Sequence, residues 1–186
     1  LTVVEPQSSG IGGGGFLVHF DGAKGKLSTI NGRETAPASA LSSRFLDAGG
    51  KPLPFLQAFP GGKSVGVPGN IALMRSAHEK WGKLKWAELF KPAIRFAEKG
   101  FVVNKTLESR LQMVERLWPQ FDKARSIYWV NGKPAKAGMR LRNPELAKTL
   151  RLLAKAGPAA FYKGSIANEI VHSVTATASN AGDTTL

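Results

Sequence analysis

The sequence predicts an α+β fold, one β-hairpin leading into about five helices, on three observations. Two short β-prone runs, Phe16-Leu17-Val18-His19-Phe20 and Lys26-Leu27-Ser28-Thr29-Ile30, flank the glycine-containing turn Asp21-Gly22-Ala23-Lys24-Gly25, which is a hairpin signal. Beyond Asn70 the apolar residues recur at helical rather than alternating spacing. Between the two regions, residues 38–69 are rich in Pro, Gly and Ser and read as a long loop ending at Val67-Pro68-Gly69. The 186 residues, 42% apolar and 21% charged, suit one domain or a fraction of a larger one and exclude wholesale disorder.

In chain order, Leu1-Thr2-Val3-Val4 is β-prone and predicts a strand ahead of the glycine run Gly10–Gly15. The hairpin follows, closed by Asn31-Gly32, with Arg33 at the strand's end. Asn70 is placed to cap a helix running to Trp81, stopped by Gly82. Trp86–Lys99 is a second helix, in which Pro92 marks a kink or a late N-terminus and Gly100 sits just past the end. Residues 105–117 form a third, with Leu107, Leu111, Val114 and Leu117 on one stripe. Ile127-Tyr128-Trp129-Val130 is extended, before Asn131-Gly132. Asn143-Pro144-Glu145 sets a cap, a first-turn proline and an acid in their preferred order, opening a helix with Leu146, Leu150 and Leu153 that stops at Gly157-Pro158. A last helix spans Ile166–Val174, and Ser179–Asp183 is a loop.

Two regions of one domain are expected, 1–69 carrying sheet and glycine-rich loop and 70–186 mainly helical. A lone hairpin is marginal without other elements to cover it, so the chain reads as a piece of something larger, incomplete at both ends. No apolar run is long enough to span a bilayer, and no targeting peptide is legible in these residues, which start inside an expected strand where a missing N-terminus would hide one. The absence of cysteine excludes a disulfide framework, cysteine-ligated zinc and a cysteine nucleophile.

Charge is uneven. Residues 1–70 hold six basic and four acidic side chains, residues 71–186 twenty and nine, for a net +13. The stretch 123–155 has nine basic residues against Glu145 alone. That pattern fits a surface for nucleic acid or another polyanion, or a solvated face, or a face that meets an acidic subunit. Without a recognisable nucleic-acid module, the solvated or subunit-facing alternatives are favoured and no nucleic-acid partner is expected.

Several motifs fail on context. Gly10–Gly15 satisfies G-x-G-x-x-G, but a strand follows where a dinucleotide site needs a helix N-terminus. Gly62-Lys63-Ser64 lacks the glycine of a phosphate loop, since Gln57 stands there. His19, His78 and His172 lie far apart and no metal site is expected. No G-x-S-x-G elbow or carboxylate pair appears. What remains is Arg33, beside Glu34 at a strand end, where sites are usually built. A guanidinium there grips a carboxylate through two parallel hydrogen bonds, or is a surface arginine paired with glutamate.

The stretch Val3–Phe16, followed by Gly32-Arg33-Glu34-Thr35-Ala36-Pro37, resembles the γ-glutamyltransferase (γ-glutamyl transpeptidase) family. So do Val65-Gly66-Val67-Pro68-Gly69, Trp86–Ile94 and Gly157–Gly164, in the same order. The resemblance implies part of a four-layer αββα N-terminal-nucleophile hydrolase sandwich, from the N-terminal part of the large subunit of a self-cleaving precursor. It further implies that a threonine at the new N-terminus of the small subunit attacks a γ-glutamyl amide such as glutathione. The acyl-enzyme then passes the γ-glutamyl group to water, an amino acid or a peptide. On this basis the catalytic nucleophile is not in this chain, and Thr2, Thr184 and Thr185 do not match it. The small subunit is the expected partner, no cofactor or metal is implied, and the setting is periplasmic or extracellular. Arg33 matches the residue that holds the donor's α-carboxylate. A relative acting on another amide, such as a cephalosporin acylase or a γ-polyglutamate enzyme, or a basic polyanion-binding module, is the alternative.

Overall fold

A computed structural model describes residues 1–116 and 121–178. In chain order the elements are β1 (Gly15–Asp21), β2 (Lys26–Gly32), α1 (Phe55–Ala58), α2 (Asn70–Trp81), α3 (Lys91–Lys99), β3 (Phe101–Val102), α4 (Lys105–Met113), α5 (Asp122–Tyr128), β4 (Trp129–Val130), β5 (Lys133–Pro134), β6 (Arg140–Leu141), α6 (Pro144–Ala156), α7 (Ala159–Tyr162) and α8 (Ser165–Ala178). The five helices expected from periodicity are α2, α3, α4, α6 and α8, each of nine or more residues. Leu117, the Ser179–Asp183 loop and Thr184 and Thr185 lie outside the described residues. The chain divides into two compact units, one of Leu1–Ile11 with His78–Gly157, the other of Gly12–Ala77 with Pro158–Leu186.

In the first unit, the apolar faces of α3 and α6 and the 3-10 turn Trp86–Phe90 meet around Phe90, Ala97, Leu150 and Leu153, all buried. The Trp86 indole N–H donates to the Leu153 carbonyl at 2.9 Å, so the ring packs without losing its polar atom. Pro92 settles as a late N-terminus, at the start of α3 rather than in a kink, because a proline there has no intrahelical N–H to lose. Gly100 and Gly157 end α3 and α6 at φ 95° and 79°, a region that favours glycine. Glu98 and Arg151 join α3 to α6 at 2.5 Å, and that bond holds the Glu98 carboxyl below the ordinary range. β3 pairs antiparallel with β6, Phe101 opposite Leu141. Asn143 caps α6, its Oδ1 accepting from the Leu146 N–H at 3.0 Å. Asn143→Ala should lower stability by about 0.5–2 kcal/mol, read as a shift in the urea midpoint of the complete protein.

Two expectations need correction here, and a third, the solvated basic face, agrees with the structure. Leu1–Val4 is not a strand: the Leu1 carbonyl accepts from Val4 and Glu5, the backbone turns, and Val3 is buried. Among the described residues no strand pairs with it, and propensity without a partner does not make a strand. Ile127 and Tyr128 end helix α5, and only Trp129–Val130 is extended, pairing with Lys133–Pro134 across a tight turn. Asn131 and Gly132 there take φ 52° and 76°, the two-residue geometry that matches strand twist. The nine basic residues of 123–155 are all exposed, and three of them pair with acids: Arg125 with Asp122, Lys148 with Glu145 and Arg151 with Glu98.

In the second unit, β1 and β2 form the expected antiparallel hairpin, in register from Gly15 opposite Gly32 to Asp21 opposite Lys26. The Asp21 carboxylate accepts from the Ala23 and Lys24 N–H groups and shapes its turn. Side chains alternate between faces. Phe16, Val18, Phe20 and Leu27 share one face and are 62–70% exposed. The stretch 38–69, expected as loop, carries the one-turn helix α1, the 3-10 turn Gly62–Ser64 and an isolated bridge between Leu46 and Pro52. These are local turns that hydrophobic periodicity does not reveal. α7 and the extension of α8 to Ser165–Ala178 also exceed the expectation. Ile71, Leu73, Phe161, Ile166 and Val174 form the buried apolar set of this unit.

Candidate functional site

Arg33 leaves β2 directly after Gly32, and three local features set its position. Its N–H donates to the Asn31 Oδ1 at 3.0 Å, closing a turn of the kind asparagine favours. Its Nε lies 3.2 Å from the Glu34 Oε2. That oxygen is buried and not aligned for a hydrogen bond, so the contact is electrostatic. The Arg33 side chain remains 63% exposed against 28% for Glu34. Arg33 therefore meets the second of the two sequence alternatives, an exposed arginine paired with glutamate.

Glycines let three backbone segments cross beside it. The Gly13 carbonyl accepts from both Gly69 (3.1 Å) and Asn70 (2.9 Å). A β-carbon on Gly14 would stand 2.6 Å from the Glu34 nitrogen and from the Gly32 oxygen, and 2.7 Å from the Glu34 Oε2. One on Gly69 would collide with the Gly32 oxygen. The bareness of Gly14 thus makes room for the Glu34 carboxylate, and that of Gly69 lets the turn that opens α2 approach the end of β2. Val67 donates to the Thr35 carbonyl at 2.8 Å, laying Gly66–Gly69 along the segment after Arg33.

Tyr162 secures that turn, a role the sequence reading missed. Its hydroxyl donates to the Pro68 carbonyl and accepts from the Ala72 N–H, each at 3.0 Å. Burial raises the Tyr162 phenol above its ordinary range, and the bond from Ala72 opposes this in part. Tyr162→Phe leaves both backbone groups without the hydroxyl and should cost about 1–2 kcal/mol, measurable by urea denaturation. The signal available was the phenylalanine–tyrosine pair ending α7, but nothing in its spacing points at residue 68.

A cavity of about 340 Å3 opens beside Arg33, lined also by Glu34, Thr35, Arg44 and Lys63. Its mixed polar and apolar wall suits a small charged ligand. A second, apolar cavity of about 280 Å3 lies between Val65–Pro68 and helices α7 and α8, with no ionisable carboxylate or amine on its wall. Among the described residues no three of His, Asp and Glu cluster as a metal site would require, and no helix is long and apolar enough to cross a membrane.

An exposed arginine at a strand end, beside glycine-lined backbone crossings and on the wall of a mixed polar and apolar cavity, is the candidate site on this α+β frame. The sequence profile described as Gamma-glutamyltranspeptidase matches residues 1–184. The glutathione hydrolase proenzyme of Bacillus subtilis strain 168 is 38% identical over 174 residues, covering 94% of this chain and 30% of that protein. The crystal structure of Helicobacter pylori gamma-glutamyltranspeptidase superposes with a TM-score of 0.87 at 31% identity, over 92% of this chain and 49% of that one. Cephalosporin acylase from Bacillus halodurans follows at a TM-score of 0.75 and 27% identity, over 100% of this chain and 34% of that one. The fold is that of the N-terminal-nucleophile hydrolases, α+β as the sequence predicts. Within that class, the chain belongs to the γ-glutamyltranspeptidase family. It spans 30% of the length of the curated relative with which it shares 38% identity.

Proposed function

We propose that this chain is the donor-binding part of the large subunit of a γ-glutamyltransferase, and that Arg33 holds the α-carboxylate of the γ-glutamyl group. The observation that carries the reading is Arg33 itself: it follows the Gly32 strand end in a chain of this family, its backbone N–H is held by Asn31, and its side chain, beside Glu34, lines a cavity. In this reading a threonine at the N-terminus of the small subunit attacks the γ-carbonyl, with its own amine as base, and forms an acyl-enzyme. Water, an amino acid or a peptide then takes the γ-glutamyl group, and backbone amides stabilise the oxyanion. Glutathione is the donor of reference, the precursor matures by self-cleavage, and the complete enzyme works in the periplasm or outside the cell. Residues 1–69 and 70–186 belong to one domain of it. The exposed apolar face of Phe16, Val18, Phe20 and Leu27 supports the reading, because the second sheet of a four-layer sandwich is a natural cover for it.

The competing reading is an amidase of the same fold acting on a donor without an α-amino acid end. Release of nitroanilide by the complete, processed enzyme separates the two. Cleavage of γ-glutamyl-p-nitroanilide at least about tenfold faster, in kcat/KM, than of glutaryl-p-nitroanilide is the expected result. The reverse preference assigns the chain to an acylase.

A further inference from the structure

The polar cavity beside Arg33 and the apolar cavity between Val65–Pro68 and helices α7 and α8 share a wall. Pro37, Val65 and Gly66 line both, and every residue that lines either one belongs to the second compact unit. Their chemistry differs. Arg33, Glu34, Arg44 and Lys63 stand on the first; among the described residues no carboxylate, amine or guanidinium stands on the second. The ionisable group there is the Tyr162 hydroxyl, which is already engaged with the Pro68 carbonyl and the Ala72 N–H. The Val67 N–H is likewise taken, by the Thr35 carbonyl. A polar group entering this cavity gives up hydrogen bonds to water with little in return, whereas an apolar group gives up none. The volume, about 280 Å3, exceeds the roughly 150 Å3 that suffices for one benzene ring.

We propose that the apolar cavity is a subsite for the group attached to the γ-carbonyl of the donor, and that it selects leaving groups with an aromatic or large aliphatic side chain. Continuity of the two walls argues for this occupant: a donor charged at its α-carboxylate end and apolar at the other matches a polar cavity and an apolar one that meet along Pro37, Val65 and Gly66. The proposal rests on the reading of Arg33 as the holder of the α-carboxylate, and it adds a substrate class to that reading. Val171, on α8, lines the cavity and is 50% exposed. A substitution there alters the wall without opening a hole among the buried residues of this unit.

The test compares γ-glutamyl-phenylalanine with γ-glutamyl-alanine on the complete, processed enzyme, with release of the free amino acid as the readout. Both donors break the same amide and release an α-amino acid, so the ratio of their rates reports the side chain. The wild type should favour the phenylalanyl donor by at least about tenfold in kcat/KM. Val171→Gln, which makes the wall polar, and Val171→Trp, which fills the cavity, should each cut that preference by at least about threefold by slowing the phenylalanyl donor. A wild-type preference below about tenfold overturns the subsite; it is also the result expected if another segment of the full-length protein fills the cavity. Val171 variants that keep the preference within about threefold of wild type overturn it too. The wild-type ratio decides even where a variant fails to mature. If neither donor is cleaved, the γ-glutamyl reading falls and takes the subsite with it; if both are cleaved at like rates, the subsite alone falls.

Discussion

Arg33→Ala in the complete, processed enzyme is expected to lower kcat/KM for γ-glutamyl donors by at least about tenfold. A charge-assisted bond of the kind a bidentate guanidinium makes contributes about 1.5–3 kcal/mol, and one such bond already corresponds to a tenfold effect. Misplacing the distant γ-carbonyl adds to this, because the donor is long and is held at one end. The side chain is 63% exposed, so its pairing with Glu34 is screened; a donor covering the site excludes water and strengthens its contact with the guanidinium. Arg33→Lys should recover only part of the loss, since a point charge lacks the fork. The preference for γ-glutamyl over glutaryl anilide should collapse in Arg33→Ala, because only the first donor has an α-carboxylate to lose. Self-cleavage of the precursor should be largely spared. A variant that matures and keeps near-wild-type kcat/KM on γ-glutamyl donors removes Arg33 from the site.

Gly69→Ala is the second change with a large expected effect, and it acts on Arg33 through the backbone. The added β-carbon meets the Gly32 oxygen, the Gly32 carbonyl carbon at 2.8 Å and the Arg33 oxygen at 3.1 Å. All three are main-chain atoms, so no side chain can swing aside and either the turn or the end of β2 must move. Overpacking of this kind costs about 1–3 kcal/mol. Because Gly69 and Asn70 both donate to the Gly13 carbonyl, the shift also strains the crossing that seats Glu34. Lower thermal stability and a drop in kcat/KM on γ-glutamyl donors are expected together. Gly12→Ala is the control: nothing lies within 4 Å of its β-carbon, and its stability should stay within about 0.5 kcal/mol of wild type. Equal behaviour of the two variants would show that crowding against the Arg33 backbone does not matter.

Much of this protein could be read without coordinates because it depends on local rules. The hairpin follows from two β-prone runs around Asp21–Gly25, and its Asp21 and Gly25 act within a few residues of themselves. The boundaries of α6 follow from Asn143, Pro144 and Gly157, each of which caps or stops a helix through bonds to its own neighbours. Arg33 was visible as a charged residue at a strand end, and the family likeness of Gly32–Pro37 made it a named candidate.

Other features required the tertiary fold, because their partners lie far along the chain. Leu1–Val4 has strand propensity, yet among the described residues nothing pairs with it and its backbone turns instead. The glycine run fails as a nucleotide motif on sequence context alone, but the atoms that need the bareness of Gly14 belong to Gly32 and Glu34, some twenty residues on. Tyr162 meets Pro68 across 94 positions, and Arg44 meets Lys63 across 19. No period or motif encodes those meetings. Sequence by itself determined which residues carry charge, which runs turn into helix or hairpin, and which family the chain resembles. Tertiary structure decided which cations share one cavity, because proximity between distant residues is set by how the packed elements and their backbone hydrogen bonds close on one another, a property of the whole chain rather than of any window in it.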